Sequence, residues 1–554
     1  MQTAHDEAEL HAIEQELNIE ILPGTEIMTD VGTHHFLKSS AGVLVPQPSA
    51  DPHDPLNWSK KWKMLAITAV TSVTFVQGFG PLALAPAFPA YMAEWNRPLP
   101  DVVRFTGVSI LVLGFSNFIW VPLSSSFGRR HVLIASNLIC LASMIWRARA
   151  MSYGSFMGAC VLNGIGAGPA ETIQPAVVAD IFFLHERGFW NTLYWVAYMG
   201  SLMVAPIISG AMTQALGWRQ FWWLNVGIVA ASTLLVVFAY PETKYERAHS
   251  ADMTPSDKQI SPAASQEKDL ANIEKTETAH SNAPQDLSLS ATAARDPHLG
   301  KGTPSKSQWK IIQPNRKPGK TILLNIWVPW KLFAYPIVEF AAFVVSWSCS
   351  SFLSLNLTQS QAFAAPPYLI DPQNIGFMNF AILVGAMIGL ATAGPFSDWV
   401  SKRLTLRNNG IREPEMRLVA MIPYVIIMYL GNIIVAVGYE KKWHWAIIVV
   451  LGYTAAGIQV AALPAIASTY AVDSYKPVAG PLFVAITVNK NLWGYGFAEF
   501  VNKWIAEVGF IPPIMTNASL ILFFCLCGIP FYFFGKTFRR WSKNSSVHKM
   551  EEMN

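Results

Sequence analysis

The chain has 554 residues, of which 52% are hydrophobic and only 14% are charged, and its formal net charge is +4. Soluble proteins carry about 25% charged residues, so this composition excludes an ordinary soluble domain and predicts a polytopic membrane protein with the lipid bilayer as a partner. Because the net charge is small and the basic residues cluster beside apolar segments, we expect no nucleic-acid partner.

Residues 1–63 are polar, and we predict that they form a cytosolic N-terminal tail. The tail ends in DPHDPLNWSKKWK, whose lysines directly precede the first apolar run. Twelve apolar segments of about 20 residues follow, the length that a ~30 Å hydrocarbon core requires. The predicted spans are 64–90, 105–125, 131–150, 154–178, 190–213 and 219–240 in an N-terminal half (64–241), and 332–356, 373–396, 417–438, 443–470, 478–500 and 513–535 in a C-terminal half (326–535).

Residues 242–325 are rich in Ser, Ala, Asp, Lys and Pro and lack apolar periodicity, which predicts a disordered cytosolic linker between the halves. Basic connections follow the second and eighth spans, and the C-terminal tail (536–554) is basic too. Cytosolic loops carry an excess of Lys and Arg, so we expect both termini in the cytosol, with the plasma membrane as the site of residence.

The two halves also resemble each other in sequence. When Gly164-Ile165 is aligned with Gly457-Ile458, the same offset places Asp180 opposite Asp473, and each aspartate closes the fourth span of its half. Weak internal symmetry of this kind is typical of transporters built from two repeats. The predicted fold is an all-α membrane protein with twelve transmembrane helices in two pseudo-symmetric six-helix halves.

The fourth span carries a carboxylate, Glu171, within an apolar segment. An ionised group near the bilayer centre costs roughly 2.5–3.5 kcal/mol or more, so such residues usually face a protein interior or an aqueous path. On a regular helix, Asn163, Glu171 and Gln174 would share one face. Pro169 and Pro175 free carbonyl groups that need other partners. We interpret this segment as the wall of a solute path and Glu171 as the proton-coupling group.

Several other polar side chains fall in predicted spans. We predict a substrate-binding site from Gln77, Glu171, Tyr198, Glu339, Gln459 and Lys490. Lys490 could pair with either Glu171 or Glu339, and the sequence does not decide between them. A purely structural ion pair is the alternative to a role in binding.

Three sequence patterns point to a known family. They are DPxDPxNWS at 51–59, VADIFFLHERG at 178–188 and PPY at 366–368. With the twelve spans, they make the chain resemble the major facilitator superfamily, and within it the fungal twelve-span drug:proton antiporter branch. The resemblance implies a monomeric carrier that uses protons and a small-molecule substrate, works by alternating access and needs no cofactor or metal.

The superfamily's loop pattern, a glycine, then an aspartate four residues on, then G-R-R/K, occurs twice in altered form. VPLSSSFGRR keeps Arg129 and Arg130 but has Ser125 where the aspartate is expected, and GPFSDWVSKR keeps Asp398. The resemblance implies a conformational latch in which the acid bonds to a helix end of the opposite half. The predicted latch residues are Asp398, Arg129, Arg130, Lys402 and Arg403.

Two further positions differ from the family pattern. The family's fourth span carries an arginine where this sequence has Cys160, which shifts the expected proton coupling onto Glu171. APIISG at 205–210 resembles the antiporter signature, with Pro206 and Gly210 predicted to form a bend, although a plain packing motif fits the same residues.

No enzymatic activity is expected, because the Gly-Lys-Thr triplets lack the preceding glycine of a phosphate-binding loop. The predicted function is secondary active transport of a small organic compound, most consistent with proton-coupled efflux of a drug-like compound or secondary metabolite. Uptake of an organic cation or polyamine is one alternative. A non-transporting nutrient receptor on the same fold is another.

Overall fold

The computed structural model describes residues 51–245, 300–314, 318–408, 411–475 and 479–542, together with Leu22, residues 25–27 and Ser49. The N-terminal half is helical. Its segments are span 1 (Lys60–Leu82, a 3₁₀ turn at Ala85–Ala87, and Phe88–Trp95), span 2 (Leu99–Phe127), span 3 (Arg130–Arg149), span 4 (Tyr153–Ala167 and Pro169–Ile181), span 5 (Leu184–Leu216) and span 6 (Trp218–Ala239).

A helix at Pro318–Leu332, here called the connector helix, leads into the C-terminal half. That half contains span 7 (Pro336–Phe363), span 8 (Pro372–Arg407), span 9 (Pro414–Met421 and Ile422–Glu440), span 10 (Trp445–Ile447, Ile448–Tyr453 and Thr454–Ser474), span 11 (Ala479–Val508) and span 12 (Ile511–Leu526 and Gly528–Ser542). Two short strands, β1 (Glu26–Ile27) and β2 (Ile411–Arg412), pair antiparallel.

The predicted fold class is confirmed. Ten helical segments in the described ranges are long and apolar enough to cross a membrane. The two remaining segments of the twelve are spans 4 and 11. Span 4 is divided at Gly168, and span 11 carries the polar triplet Asn489–Asn491 in its middle. The charged groups of the candidate site come from these two spans: Glu171 follows the break in span 4, and Lys490 belongs to the polar triplet of span 11.

The ends of the spans define two faces of the molecule. We call the face where span 1 begins and span 12 ends the terminal face, and the opposite one the distal face. At the distal face the halves touch: the Ser360 hydroxyl donates to the Ala85 carbonyl at 3.1 Å. Towards the terminal face, a cleft of about 570 Å³ separates spans 4 and 5 from spans 8 and 10. The structure is therefore open towards the terminal face.

Ion pairs repeat between the halves at equivalent places. Asp180 at the end of span 4 pairs with Arg129 before span 3, with Nε and Oδ2 3.0 Å apart. Asp473 at the end of span 10 pairs with Arg417 at the start of span 9 at 2.7 Å. The two aspartates that the sequence aligned thus hold corresponding positions, and each fixes the end of one span to the start of the preceding span.

Part of the segment predicted as a linker is packed against the N-terminal half. Glu242 is fully buried, and its carboxylate accepts hydrogen bonds from the Arg129 and Arg130 amides, both at 2.9 Å. A carboxylate is favourable there because it lies at the positive end of the span 3 helix dipole. Gly128, at φ 105°, allows this approach, since a Cβ there would lie 2.3 Å from a Glu242 oxygen.

The chain returns to the same half after residue 299. The Gly302 amide donates to the Asn57 carbonyl at 2.9 Å, and the Glu242 amide donates to the Gln308 carbonyl at 2.8 Å. The Arg130 guanidinium lies over the Trp309 ring at 5.2 Å. The linker boundaries predicted at 242 and 325 are therefore corrected, because tertiary contacts hold these polar residues. Residues 246–299 lie outside the described residues.

The predicted tails are also shorter than the sequence indicated. Asp54, Asn57 and Trp58 are buried, so the packed chain begins before residue 64. At the other end, span 12 continues to Ser542 and Arg539 is fully buried. Arg539 contacts Glu413 and Glu415, which explains why a basic segment predicted as tail is part of the folded protein.

Because both ends of 246–299 are anchored to one half, deletion of residues 253–292 is expected to leave folding and transport largely intact. Loop-closure entropy changes slowly with length, so shortening such a loop has a small energetic effect. Expression, monodispersity and solute flux in vesicles measure the result. Loss of folded protein would mean that the removed residues form a necessary folded or docking element.

Candidate functional site: an ion pair between the halves

The two prolines of span 4 expose carbonyl groups that neighbouring spans satisfy. Proline lacks an N–H, so Pro169 leaves the Ile165 carbonyl without its helical donor. The Trp120 indole of span 2 donates to that carbonyl at 2.7 Å. Pro175 similarly frees the Glu171 carbonyl, which accepts from the Tyr194 hydroxyl of span 5 at 3.0 Å. The interruption of span 4 is thus fixed from two sides.

This arrangement directs the Glu171 carboxylate toward the other half. Its Oε1 accepts from the Lys490 ammonium of span 11 and from the Tyr198 hydroxyl of span 5. Its Oε2 accepts from the Asn491 amide at 3.1 Å. The Lys490 ammonium also lies 5.7 Å from the centre of the Tyr198 ring. A carboxylate and an ammonium from opposite halves therefore meet, with neutral donors around them.

The pair is largely withdrawn from solvent. The Glu171 side chain is 5% exposed and that of Lys490 15%. Desolvation of two charges costs several kcal/mol for each, and their attraction offsets it only when the remaining hydrogen-bonding positions are satisfied. Tyr198 and Asn491 supply donors of this kind. Removing one charge would leave the other without its compensation, so the pair responds strongly to any event that neutralises one partner.

A small cavity of about 70 Å³ lies beside the pair. Its wall comes from both halves and is mostly apolar. The lining residues include Leu82, Ile110, Leu113, Leu202, Phe352, Leu353 and Val460, with Cys349 as well as Glu171, Tyr198 and Lys490. A lining shared by both halves, apolar with a few polar groups, is typical of a binding site for an organic solute, but the volume in this conformation is below the roughly 300 Å³ of a site closed around a drug-sized ligand.

Tyr194 lies between this cavity and the terminal cleft. Its ring lines the cleft, while its hydroxyl bonds to the backbone of Glu171. The Tyr194 and Tyr198 rings stack with centroids 6.1 Å apart. Tyr198 lines the central cavity and Tyr194 lines the cleft, so this stacked pair stands between the two spaces.

Of the six predicted substrate-binding residues, the structure brings Glu171, Tyr198 and Lys490 together. Gln77 instead bonds to Ser136 and Asn137 inside the N-terminal half, at 3.0 Å each. Gln459 donates to the Ser348 carbonyl at 3.2 Å inside the C-terminal half. Both glutamines are fully buried but are not among the cavity-lining residues.

Glu339, the sixth predicted substrate-binding residue, is also not among the residues that line the cavity. Span 7 begins at Pro336, so Glu339 lies in the first turn. The choice that the sequence left open is thereby resolved, since Lys490 pairs with Glu171.

The predicted shared face of Asn163, Glu171 and Gln174 does not form, because span 4 is interrupted between them. Asn163 accepts from Arg147 at 3.2 Å. Gln174 accepts from Thr74 and donates to Thr71 of span 1, both at 2.7 Å. The two amides therefore join spans within the N-terminal half, and only Glu171 reaches the interface between the halves.

A buried arginine lies near Cys160, but it comes from span 3. Arg147, near the end of span 3, is fully buried and donates to the Gly80 carbonyl at 3.1 Å and to Ser109 at 3.1 Å. Its guanidinium lies 4.6 Å from the Trp222 ring centre. Arg147 thus joins spans 1, 2, 4 and 6 behind the cavity wall.

The predicted latch residues form contacts within each half in this conformation. Asp398 pairs with Arg417 of its own half at 2.7 Å, not with the N-terminal half. Burial disfavours the charge of Arg129, but Asp180 and Glu242 outweigh it and raise the pKa of that guanidinium. Arg130 donates to the Val237 carbonyl at 2.7 Å. In the second copy, Lys402 is exposed and Arg403 lies over the Trp399 ring.

The segment predicted as an antiporter-like bend lies where spans 5 and 8 cross. A Cβ on Gly210 would lie 2.5 Å from the Pro372 carbonyl oxygen, and one on Gly376 would lie 2.8 Å from that of Pro206. Small residues therefore allow the two halves to approach closely near the distal face. The contact supports the packing interpretation of this motif, and the bend remains a prediction.

Sequence reasoning missed three residues that join the halves. Asn491 bonds to Glu171, and its signal was the polar triplet that also contains Lys490. Arg104 of span 2 and Glu499 of span 11 form an ion pair at 2.5 Å near the distal face. Charges near span ends are common, so their sequence positions gave no indication that they pair across the interface.

Comparison with known proteins places this architecture among transporters. The family model described as Major Facilitator Superfamily matches residues 70–486. An uncharacterized MFS-type transporter of Schizosaccharomyces pombe is 27% identical over 95% of this chain and 94% of its own length. The efflux pump radE of Floropilus chiversii is 22% identical over 83% of this chain and 78% of its own. The solved structure of the proton:xylose symporter XylE has a TM-score of 0.55 at 12% identity, covering 86% of this chain and 97% of that one.

Proposed function

The chain belongs to the major facilitator superfamily of secondary transporters, and we propose that it exports a small organic compound in exchange for protons. The observation that carries this proposal is the Glu171–Lys490 pair. It joins the halves beside a cavity that both of them line. In alternating access, one half rocks against the other around such a site, so a titratable pair there couples occupancy to conformation.

Glu171 is the proposed proton-binding group. Protonation of its carboxylate removes the negative charge that holds the Lys490 ammonium, so the cross-half attraction weakens. Loss of the proton restores the pair. Neutralisation of one member of a desolvated pair changes the interaction strongly, which gives one proton a large effect on the balance between conformations. Tyr198 and Asn491 hold the carboxylate in position in the paired state.

The direction and the sidedness are part of the proposal. We assign the terminal face to the cytosol, because it carries basic residues at the starts of spans 1, 3 and 9, as the positive-inside rule describes. In this conformation solute would enter through the cytosolic cleft. The radE pump is an efflux protein and supports the outward direction by analogy. The plasma membrane is the proposed location.

Asp398 is proposed to act as a latch in the opposite conformation. It is 67% exposed and lines the terminal cleft, facing the space that residues of spans 4 and 5 also line. Closure of that cleft would bring the N-terminal half to it. Asp398→Asn is therefore expected to slow transport in vesicles severalfold, and Ser125→Ala to change it little. Equal effects of the two substitutions would contradict the latch assignment.

Purified protein in vesicles with an internal pH-sensitive dye tests the function. A panel of amphipathic organic compounds is added, and substrate-dependent proton movement is recorded together with solute flux. We expect coupled, opposite movements for at least one class of compound. Solute flux that is independent of the pH gradient would contradict proton coupling, and binding without flux would favour the receptor alternative.

The structure gives less support to the alternative function, uptake of an organic cation. That alternative relied on two interior carboxylates as ligands, Glu171 and Glu339. Glu339 lies in the first turn of span 7, outside the cavity, and Glu171 is already occupied by Lys490. The same vesicle experiment distinguishes uptake from export through the sign of the coupled proton movement.

A further inference from the structure

We propose that Arg104 and Glu499 form the distal gate of this transporter, an ion pair whose opening accompanies the change to the distal-open conformation. The inference rests on alternating access in the proposed function. Among the ion pairs between described residues, two join the halves: Glu171–Lys490 at the cavity and Arg104–Glu499 near the distal face. Asp398 and its partner Arg417 belong to one half, so they do not hold the halves together in this conformation.

The geometry of the pair is specific. One Glu499 oxygen accepts from Arg104 Nε at 2.8 Å and from Nη2 at 2.5 Å. Arg104 begins the second turn of span 2, and Glu499 lies two turns before the end of span 11. Spans 2 and 11 face each other along their lengths, since Gly114 approaches Asn491 so closely that a Cβ would be 2.6 Å away. The pair therefore closes the distal end of an interface whose middle holds the cavity.

In both ion pairs between the halves, the residue from the C-terminal half lies on span 11: Lys490 in the central pair and Glu499 in the distal pair, nine residues apart. At 1.5 Å per residue, Lys490 and Glu499 are separated by about 13.5 Å along the helix. Each bonds to a charge of the N-terminal half. A rocking motion that moves span 11 away from spans 2 and 4 therefore breaks the distal pair and changes the central pair together. The distal gate and Lys490, the partner of the proposed proton-binding Glu171, are linked through one continuous helix.

Arg104 has a second partner, Asp101, which lowers the cost of separating it from Glu499. Its Nη1 lies 3.3 Å from Asp101 of the same helix, so separation from Glu499 does not leave the guanidinium unpaired. The side chains of Arg104 and Glu499 are 40% and 32% exposed, so water can also solvate them. Exposed ion pairs contribute at most about 1 kcal/mol, which corresponds to about a fivefold change in an equilibrium. An interaction of this size biases the conformations without locking one of them.

Cys349 provides a reporter, because it lines the central cavity. Cys525 and Cys527 are first changed to Ser, and a membrane-impermeant thiol reagent is added to oriented vesicles from one side at a time, without substrate. Glu499→Gln is expected to raise the distal labelling rate of Cys349 about two- to fivefold and to lower the terminal rate. Glu507→Gln, an exposed carboxylate on the same span, is the matched control and should leave both rates unchanged.

A double-mutant cycle excludes a general structural effect. Arg104→Gln should shift the labelling ratio as Glu499→Gln does, and the double variant should shift it no further, because each change removes the same interaction. Additive shifts, or no shift in Glu499→Gln, would overturn the gate. If Glu499→Gln leaves the labelling ratio unchanged while the protein still transports with proton coupling, the gate is rejected and the proposed function stands. If the labelling ratio shifts but no solute flux is found for the wild-type protein, the gate stands and the proposed export function is rejected.

Discussion

Glu171→Gln is expected to reduce transport driven by a proton gradient at least tenfold, while substrate binding and slow exchange remain measurable. Glutamine keeps the size of the side chain, and its single carbonyl oxygen can still accept a hydrogen bond from Tyr198 or from Asn491. It cannot change charge, so proton binding no longer alters the interaction with Lys490. The measurement is substrate accumulation in vesicles with and without a pH gradient, together with equilibrium exchange of labelled substrate.

Glu339→Gln is the matched control. It removes a carboxylate from another span, one that lies outside the cavity, and should leave coupling unchanged. If the Glu171–Lys490 pair is purely structural, Glu171→Gln should lower thermal stability at every pH, and adding Lys490→Met should restore stability. Gradient-driven accumulation by Glu171→Gln at the wild-type rate would rule out Glu171 as the coupling group.

Arg539→Gln is expected to destabilise the protein by about 3–5 kcal/mol, because it leaves the buried Glu415 carboxylate without its counter-charge and leaves Glu413 with Lys536 alone. Arg539 is fully buried and bonds to Glu413 at 2.6 Å and to Glu415 at 2.9 Å and 3.0 Å. This cluster joins the end of span 12 to the start of span 9. Thermal unfolding of the purified protein in detergent measures the loss.

The neighbouring Arg540 is exposed, and Arg540→Gln provides the control for charge and composition at the same helix end. Its unfolding temperature should stay close to that of the wild type. Similar destabilisation by both substitutions would mean that total positive charge at the terminal face matters, rather than the buried contacts of Arg539.

The sequence predicted Glu171 and Lys490 because an ion in an apolar span needs a partner, whatever the details of packing. It could not predict which way an uncharged amide points. Gln77 and Gln459 satisfy their hydrogen bonds inside one half, and the rotation of each helix that decides this depends on packing. Glu339 was misplaced for another reason. The apolar connector helix extends the hydrophobic pattern ahead of span 7, so the predicted span began too early.

Long-range contacts account for the other differences. The sequence predicts span 4 as one continuous helix. The donors Trp120 and Tyr194 that stabilise its interruption come from other spans, so the local sequence does not contain them. The segment around Gln308 and Trp309 resembles a linker in composition. Its order comes from contacts with Glu242 and Arg130, which no local pattern contains.

Residues 242–245 and 300–314 are both anchored to the N-terminal half, so a label placed in the segment between them reports the position of that half. A fluorescent protein inserted within 246–299 would travel with the N-terminal half, since both of its attachment points are fixed there. Paired with a dye at the end of span 12, it would report the distance between the halves by energy transfer. The polar segment 246–299 is thus a suitable attachment site for measuring the rocking motion of the two halves by single-molecule energy transfer.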